Sequence, residues 1–288
     1  MLTKPQGGLA RYRSSVTSQD GEDGIIGHIF SRIPIASRIC VEFGAWDGKY
    51  LSNTWDLWHN QGWTAVLIEA NPVTHAALAA STADNPNVHA VLSRVSGSGP
   101  SSVDAVLSGL GMPTEIDLVS IDVDGDELAI WEGVKTHRPS VVVVEHNSTI
   151  PPHIAFEVRG PNYVGSSARS LVQAGKRLGY ELVACTMTNC IFVKSELYPL
   201  LGLDSNELED LFDYQHLTWV ISSYRGDLVL TRRPLHHNPG LKHALRSFAQ
   251  SAVWRLLPRR DTQPFGVAWA RLRGPRIGSL LTLRSPRD

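Results

Sequence analysis

Short apolar runs alternate with stretches of helical periodicity along the middle of this chain, and this alternation limits the possible folds more than any other feature. The runs predicted as strands are Arg38–Phe43, Thr64–Glu69, Val88–Leu92, Asp117–Asp122 and Ser140–Glu145. Strands that alternate with helices pair in parallel through right-handed crossovers. Because several runs are nearly continuous in Val, Leu and Ile, we expect strands buried on both faces, with helices above and below the sheet.

Two more predicted strands, Tyr180–Ala184 and Cys190–Lys194, depart from this alternation. Only the segment Cys185–Asn189 joins them, and it is too short for a crossover, so we expect an antiparallel hairpin. The sequence therefore predicts an α/β fold with a Rossmann-like, seven-stranded sheet of five parallel strands and a terminal antiparallel hairpin. A dinucleotide-binding Rossmann sheet has no such hairpin.

The same pattern divides the chain into three parts. Residues 1–37 form an N-terminal arm followed by an amphipathic helix within Gln19–Ile33. Residues 38–195 form the α/β domain. Residues 196–288 form a C-terminal extension, in which Leu241–Leu257 has the spacing of a basic amphipathic helix and is followed by an Arg-rich tail.

Charge is balanced over the whole chain but not along it. The formal net charge is -1, whereas Gly240–Asp288 carries ten Lys and Arg against two Asp. The overall balance does not indicate a nucleic-acid partner, and none is expected. The basic tail predicts either a partner of its own or a docking site on the domain, and contact with a membrane surface or a lipid-linked substrate is one alternative.

The cysteines and the N-terminus indicate the compartment. Cys40, Cys185 and Cys190 form no C-x-x-C pair, and Cys40 and Cys185 lie in apolar runs, which favours buried free thiols and a reducing compartment. Met1–Ser18 has no apolar segment typical of a signal peptide, and no stretch has the length of a membrane span. We therefore expect a cytoplasmic protein.

The first strand ends in the sequence EFGAWDG, which is suited to binding a ligand. Gly44 and Gly48 allow the backbone to approach a ligand closely, and Glu42 can accept a hydrogen bond from an ammonium group. Trp46 obstructs the approach of a pyrophosphate, so a cofactor without phosphates fits better. At the end of the second strand, Glu69 is placed to bind a ribose diol. The alternatives are a tight turn and an acid that caps the next helix.

Acidic residues also follow the fourth and fifth strands. Asp122, Asp124 and Glu145 offer the carboxylate oxygens that Mg²⁺ prefers. His146 can instead act as a general base, because the ordinary pKa of histidine lies close to neutral pH. The alternative for the acids is structural: Asp124 and Glu127 can cap the following helix.

A set of motifs between Ser18 and Lys194 resembles the FkbM-type methyltransferases. They are SQDGEDGIIGHIF, VEFGAWDGKYLSNT, LIEANP, IDLVSIDVDGDELAIWEGV, RPSVVVVEH and GYELVACTMTNCIFVK. The most specific is IDVDGDELAIWEGV, in which Asp122, Asp124, Gly125 and Glu127 occupy the matching positions. The extension after Lys194 is not explained by the resemblance.

The resemblance implies a class I methyltransferase fold and transfer of a methyl group from S-adenosylmethionine to an oxygen, often a hydroxyl of a sugar, glycan or polyketide-type product. It implies that the Gly44 loop holds the methionine part of the cofactor and Glu69 the ribose, with Ser93 beside the adenine. The implied cofactor-binding residues are Glu42, Gly44, Asp47, Gly48, Glu69, Ser93 and Asp122. Some related sugar O-methyltransferases use a divalent metal, and the resemblance implies a site for Mg²⁺ at Asp122 and Glu145.

Methyl transfer requires an aligned acceptor and removal of its proton. We assign alignment of the acceptor to the Gly44 loop, Glu69 and Asp122. We assign deprotonation of the acceptor hydroxyl to His146, or to formation of an alkoxide bound to the metal. The segment Ile150–Gly165 is predicted to close over the small-molecule or glycan acceptor. A non-catalytic binding protein that acts through the basic tail is the alternative, and a nicotinamide oxidoreductase is disfavoured because the phosphate-binding glycine loop is absent.

Overall fold

The computed structural model divides the chain into two compact units, residues 1–217 and 218–288. It describes residues 7–123, 125–158, 165–214, 220–222 and 228–230. The seven-stranded sheet lies in the first unit.

The first unit contains seven strands and six α-helices in the described ranges. The strands are β1 Ile39–Phe43, β2 Thr64–Glu69, β3 Val88–Leu92, β4 Glu115–Ile121, β5 Arg138–Glu145, β6 Tyr180–Cys185 and β7 Asn189–Lys194. The helices are α1 Glu22–Phe30, α2 Pro72–Thr82, α3 Val103–Gly109, α4 Glu127–Gly133, α5 Ala168–Leu178 and α6 Leu208–Leu211. Short 3-10 turns cover Ala10–Tyr12 and Tyr198–Leu201.

The strands form one sheet in the order β3-β2-β1-β4-β5-β7-β6. The first five are parallel, and β7 runs antiparallel between β5 and β6. This arrangement confirms the predicted Rossmann-like sheet of five parallel strands and a terminal antiparallel hairpin. The strand order reverses between β1 and β4, and ligands of open α/β sheets bind outside the carboxyl ends of the strands at this point.

Alternate residues of the central strands pack into two hydrophobic cores on opposite faces of the sheet. On β1, Val41 and Phe43 belong to one core and Cys40 to the other. Helices α3, α4 and α5 cover the first core, for example through Leu107 and Trp131. Helices α1 and α2 cover the second core. The continuous apolar runs of the sequence therefore reflect strands buried on both faces, as predicted.

Local signals fix where several helices begin and end. The Asn71 side chain accepts a hydrogen bond from the Val73 N–H, and Pro72 follows in the first turn of α2. Ser167 caps α5 in the same way, and Gly179 ends that helix with a φ of +83°. The sequence predicts helices over Pro72–Ala80 and Ser166–Leu178, close to these boundaries.

The main difference concerns Ser52–Asn60, which the sequence predicts to be a helix capped by Ser52 or Asn53. The chain forms a π-helix at Asp56–Asn60 only. The Ser52 side chain accepts hydrogen bonds from the N–H groups of Thr54 and Trp55, and its hydroxyl donates to Glu42. These bonds form a tight turn after β1 in place of the first helical turn.

The chain between β7 and residue 214 remains part of the first unit. Leu201, Leu208, Leu211 and Phe212 are buried in its two cores. In the second unit, β8 Val220–Ser222 pairs antiparallel with β9 Leu228–Leu230. The helix predicted over Leu241–Leu257 and the Arg-rich tail lie outside the described residues. No helix within those residues is long and apolar enough to cross a membrane.

Asp117 joins the segment before β1 to β4 at the amino end of the sheet. Its fully buried carboxylate accepts hydrogen bonds from the N–H groups of Ala36, Ser37 and Arg38 at 2.8, 2.9 and 2.6 Å. The Ser37 hydroxyl donates a further bond at 3.0 Å. These four hydrogen bonds stabilise a carboxylate that would otherwise be costly to bury.

We expect Asp117→Asn to lower the free energy of unfolding by about 2–4 kcal/mol, because an amide nitrogen cannot accept from the N–H groups that face it. Urea denaturation measures the change, and Asp84→Asn at an exposed position is the control. A loss no larger than that of the control would contradict the assigned role of Asp117.

Candidate functional site

The loop after β1 passes very close to the end of β4. Gly44 has a φ of +70°, and a Cβ atom at this position would lie 2.0 Å from the carbonyl oxygen of Asp122. Gly48 has a φ of +86°, and its Cβ would lie 2.8 Å from the Leu78 side chain of α2. Both glycines are therefore required by the backbone path, and they leave the tip of β1 open beside β4.

Glu42 lies at the end of β1 with its carboxyl group held by the following turn. One oxygen accepts from the Asn53 N–H at 2.7 Å, and the other accepts from the hydroxyls of Ser52 and Thr54 at 2.6 and 2.7 Å. Burial raises the pKa of Glu42 to about 7, against the opposing effect of these hydrogen bonds. The Glu42 carboxyl group therefore gains or loses its proton near neutral pH.

Asn53, beside Glu42, has a side-chain hydrogen-bond acceptor without a partner. Its side-chain NH₂ donates to the Ser120 hydroxyl at 3.0 Å, whereas its Oδ1 atom is buried and has no hydrogen-bond partner. A buried acceptor without a partner costs about 1–3 kcal/mol, so the position suits a ligand that brings a donor. The sequence interpretation treated Asn53 only as a helix cap, because its position depends on the turn that replaces the predicted helix.

Glu69 lies at the end of β2 and is fixed by two backbone donors. Its Oε2 accepts from the Trp46 N–H at 2.9 Å and its Oε1 from the Asn71 N–H at 2.7 Å. Each carboxylate oxygen can accept further bonds, as a vicinal diol requires. The Ser93 N–H donates to the Glu69 carbonyl at 3.1 Å, so the end of β3 adjoins the same place. The structure therefore brings the Gly44 loop, Glu69 and Ser93 together.

Asp47 shapes the loop between β1 and the π-helix. Its Oδ1 accepts from the N–H groups of Lys49 and Tyr50 at 2.9 and 2.7 Å, and its carbonyl accepts from the Ser81 hydroxyl of α2. The carboxylate thus holds a turn of its own. Its contact with a cofactor stays a prediction.

Glu127 is a second buried acid, at the start of α4 beside the end of β4. Its Oε1 accepts from the N–H groups of Gly125 and Val123 at 2.5 and 3.3 Å, and its Oε2 is buried without a partner. Burial, together with the negative charge of exposed Asp122, raises the pKa of Glu127 to about 7. Its role as a helix cap, considered from the sequence, therefore accounts for only one of its two oxygens.

His146 lies one residue beyond β5 and is buried together with two cysteines. Its Nε2 is 3.4 Å from the Cys185 Sγ, which is 3.8 Å from the Cys190 Sγ. Burial lowers the pKa of His146, but its contacts with Cys185 outweigh this effect and the net shift is upward. The imidazole is only 2% exposed, and Phe212 packs beside it. The sequence did not predict that His146 lies beside the two cysteines.

The acids predicted to hold Mg²⁺ are not part of the group of potential metal ligands found within the described residues. There, the group of three potential ligands whose donor atoms lie within 4.8 Å of one another is His146, Cys185 and Cys190. Asp122 is exposed, Glu145 is buried at the end of β5, and Asp124 lies outside the described residues. The Mg²⁺ site stays a prediction.

Comparison with known proteins gives similarity in structure only. No protein-family model matches this chain, and no curated protein sequence does. One similar solved structure is the glycopeptide N-methyltransferase MtfA complexed with (S)-adenosyl-L-methionine, with 11% identity, a TM-score of 0.38 and coverage of 64% of this chain and 89% of that chain.

Two further similar structures are those of the N-terminal domain of EvdMO1 with S-adenosylhomocysteine bound and of a SAM-dependent methyltransferase from Aquifex aeolicus. The first has 15% identity, a TM-score of 0.41 and coverage of 62% of this chain and 81% of that chain. The second has 11% identity, a TM-score of 0.36 and coverage of 58% and 87%. Membership of the FkbM-type family stays a prediction.

Proposed function

We propose that this chain is an S-adenosylmethionine-dependent O-methyltransferase that acts on a hydroxyl of a sugar, glycan or polyketide-type product. The observation that carries the proposal is the Glu69 carboxylate at the end of β2. The N–H groups of Trp46 and Asn71 hold it beside the Gly44 loop, at the point where the strand order reverses. This is where an α/β sheet of this topology binds a nucleoside.

The polar groups at this edge fit an adenosyl amino acid. Glu69 can accept hydrogen bonds from both ribose hydroxyls, and the unpartnered Asn53 Oδ1 beside Glu42 can accept from the ammonium group. The carboxyl groups of Glu42, Glu69 and Asp122 give the edge an acidic character that repels a pyrophosphate and attracts a cation. These features favour a sulfonium cofactor over a dinucleotide.

S-adenosylmethionine, when bound, supplies an electrophilic methyl group. In the proposal, Gly44 and Glu69 orient the cofactor, and Glu127 takes the proton from the acceptor hydroxyl. Its free Oε2 and its pKa of about 7 suit a general base at neutral pH. We assign this role to Glu127 and not to His146, because the His146 Nε2 faces Cys185 and the carbonyl oxygen of Thr186.

The acceptor class rests on the resemblance of the motifs to FkbM-type methyltransferases. The segment Ile150–Gly165, predicted to close over the acceptor, exposes Ile154 and Phe156 in its described part. Apolar side chains at this position suit the carbon face of a sugar ring or a polyketide. Assistance by Mg²⁺ bound to Asp122 and Glu145 is a separate part of the proposal. Chelation of the ion by EDTA tests it.

Titration calorimetry tests the cofactor. We expect S-adenosylmethionine and S-adenosylhomocysteine to bind, and NADH not to bind. Glu69→Gln is expected to weaken binding about 10- to 100-fold, because an amide has a single acceptor oxygen for the two N–H groups and the ribose diol. The control is Glu115→Gln, which changes an exposed acid at the amino end of β4 that pairs with Lys194.

Equal binding by Glu69→Gln and the wild-type protein would contradict the assigned role of Glu69. Absence of binding by either sulfur nucleoside would overturn the methyltransferase proposal. Binding without methyl transfer to any hydroxyl acceptor would favour the non-catalytic alternative.

The pH dependence of methyl transfer tests the base. Because Glu127 must be deprotonated to accept a proton, we expect the rate to rise as the pH increases through about 7 and then to level off. Glu127→Gln should lower the rate about 10²- to 10⁴-fold and remove the rising limb. Formation of S-adenosylhomocysteine with a panel of sugar and polyketide acceptors, with and without EDTA, measures the rate. An unchanged profile in Glu127→Gln would assign the proton transfer to another group.

A further inference from the structure

The cluster of His146, Cys185 and Cys190 is not used by the proposed reaction. Cys185 ends β6 and faces Cys190 across the hairpin, and His146 follows β5, which pairs with β7. All three side chains are buried, with the two cysteines fully so. Three groups that commonly bind metal ions therefore meet where the parallel part of the sheet joins the hairpin.

Two distances within the cluster match those of a tetrahedral metal site. Zinc bonds of about 2.3 Å to sulfur and about 2.0–2.1 Å to imidazole nitrogen place two tetrahedral sulfurs about 3.8 Å apart and a sulfur and a nitrogen about 3.6 Å apart. The two Sγ atoms are 3.8 Å apart, and the Cys185 Sγ is 3.4 Å from the His146 Nε2. Both separations from Cys185 therefore match those around one tetrahedral ion, and all three ligand atoms lie within 4.8 Å of one another.

A backbone oxygen lies close to two of these ligand atoms and can serve as a fourth ligand. The Thr186 carbonyl oxygen is 3.4 Å from the His146 Nε2 and 3.7 Å from the Cys185 Sγ. The turn that presents it is held by the Thr186 N–H, which donates to the Asn189 carbonyl at 2.7 Å, and by the Thr186 hydroxyl, which donates to buried Glu22. The fourth group is therefore positioned independently of the cysteines.

Charge balance also suits a dication. Two thiolates and a neutral imidazole around Zn²⁺ carry no net charge, so the completed site can be buried at low electrostatic cost. Sulfur and imidazole ligands select zinc over Mg²⁺ or Ca²⁺, which prefer oxygen. The ligand set is thus distinct from the acidic groups predicted to hold Mg²⁺.

We propose that His146, Cys185 and Cys190, with the Thr186 carbonyl, bind one structural zinc ion that ties the end of β5 to the β6–β7 hairpin. The site does not depend on the cofactor or on methyl transfer. It makes His146 a metal ligand.

Metal analysis of the purified full-length protein tests the proposal. We expect about one zinc per chain, in line with a single closed structural site. Cys185→Ser and Cys190→Ser should each reduce the bound zinc to background. Cys40→Ser is the matched control, because Cys40 is a fully buried free cysteine in β1 outside the cluster and should leave the zinc content unchanged.

Cobalt substitution provides a readout that does not require the variants to fold. We expect the wild-type protein reloaded with Co²⁺ to show thiolate-to-cobalt charge-transfer absorption together with the intense visible bands of a tetrahedral ion. Added zinc should abolish both. Octahedral cobalt bands without charge transfer would overturn the assignment of thiolate ligands.

Other outcomes also contradict the proposal. Failure of the reduced wild-type protein to bind either zinc or cobalt would exclude the site. Zinc retained equally by Cys185→Ser and Cys40→Ser would place the ion elsewhere. A Cys185–Cys190 disulfide, detected by mass spectrometry after alkylation without a reductant, would show that the pair is a redox couple instead.

Discussion

The contact between the end of β1 and the end of β4 is the constraint on which the proposed site depends. A side chain at Gly44 would collide with the Asp122 carbonyl, so the loop can follow its path only with glycine at this position. That path places the Trp46 N–H against Glu69 on the next strand. The position of the Glu69 carboxylate beside the loop therefore depends on this close approach.

Electrostatics at this edge follows from burial. Glu42 and Glu127 have pKa values raised to about 7 chiefly by burial, and the charge of nearby Asp122 adds to both shifts. Such a group of acids is stabilised by a cationic ligand and destabilised by a phosphate. The same arrangement that would bind a sulfonium cofactor also provides a carboxyl group able to exchange a proton at neutral pH.

Much of the fold is predictable from the sequence because its signals are local. The Val-rich runs, the cap at Asn71 and the short link between β6 and β7 each act within a few residues, and the structure confirms the sheet they predict. The site is less predictable because it depends on contacts between distant segments. The Oδ1 of Asn53 is left unpartnered only when its turn packs against Ser120, and His146 meets Cys185 only across the hairpin.

Hydrogen–deuterium exchange with and without S-adenosylhomocysteine tests the central claim most directly, because it reports where the ligand binds. The account predicts slower exchange in peptides that contain Trp46, Asn71 and Ser93, whose N–H groups lie around Glu69, with little change at the amino end of the sheet. Protection confined to other segments, or none at a saturating ligand concentration, would contradict the assignment of this edge as the cofactor site.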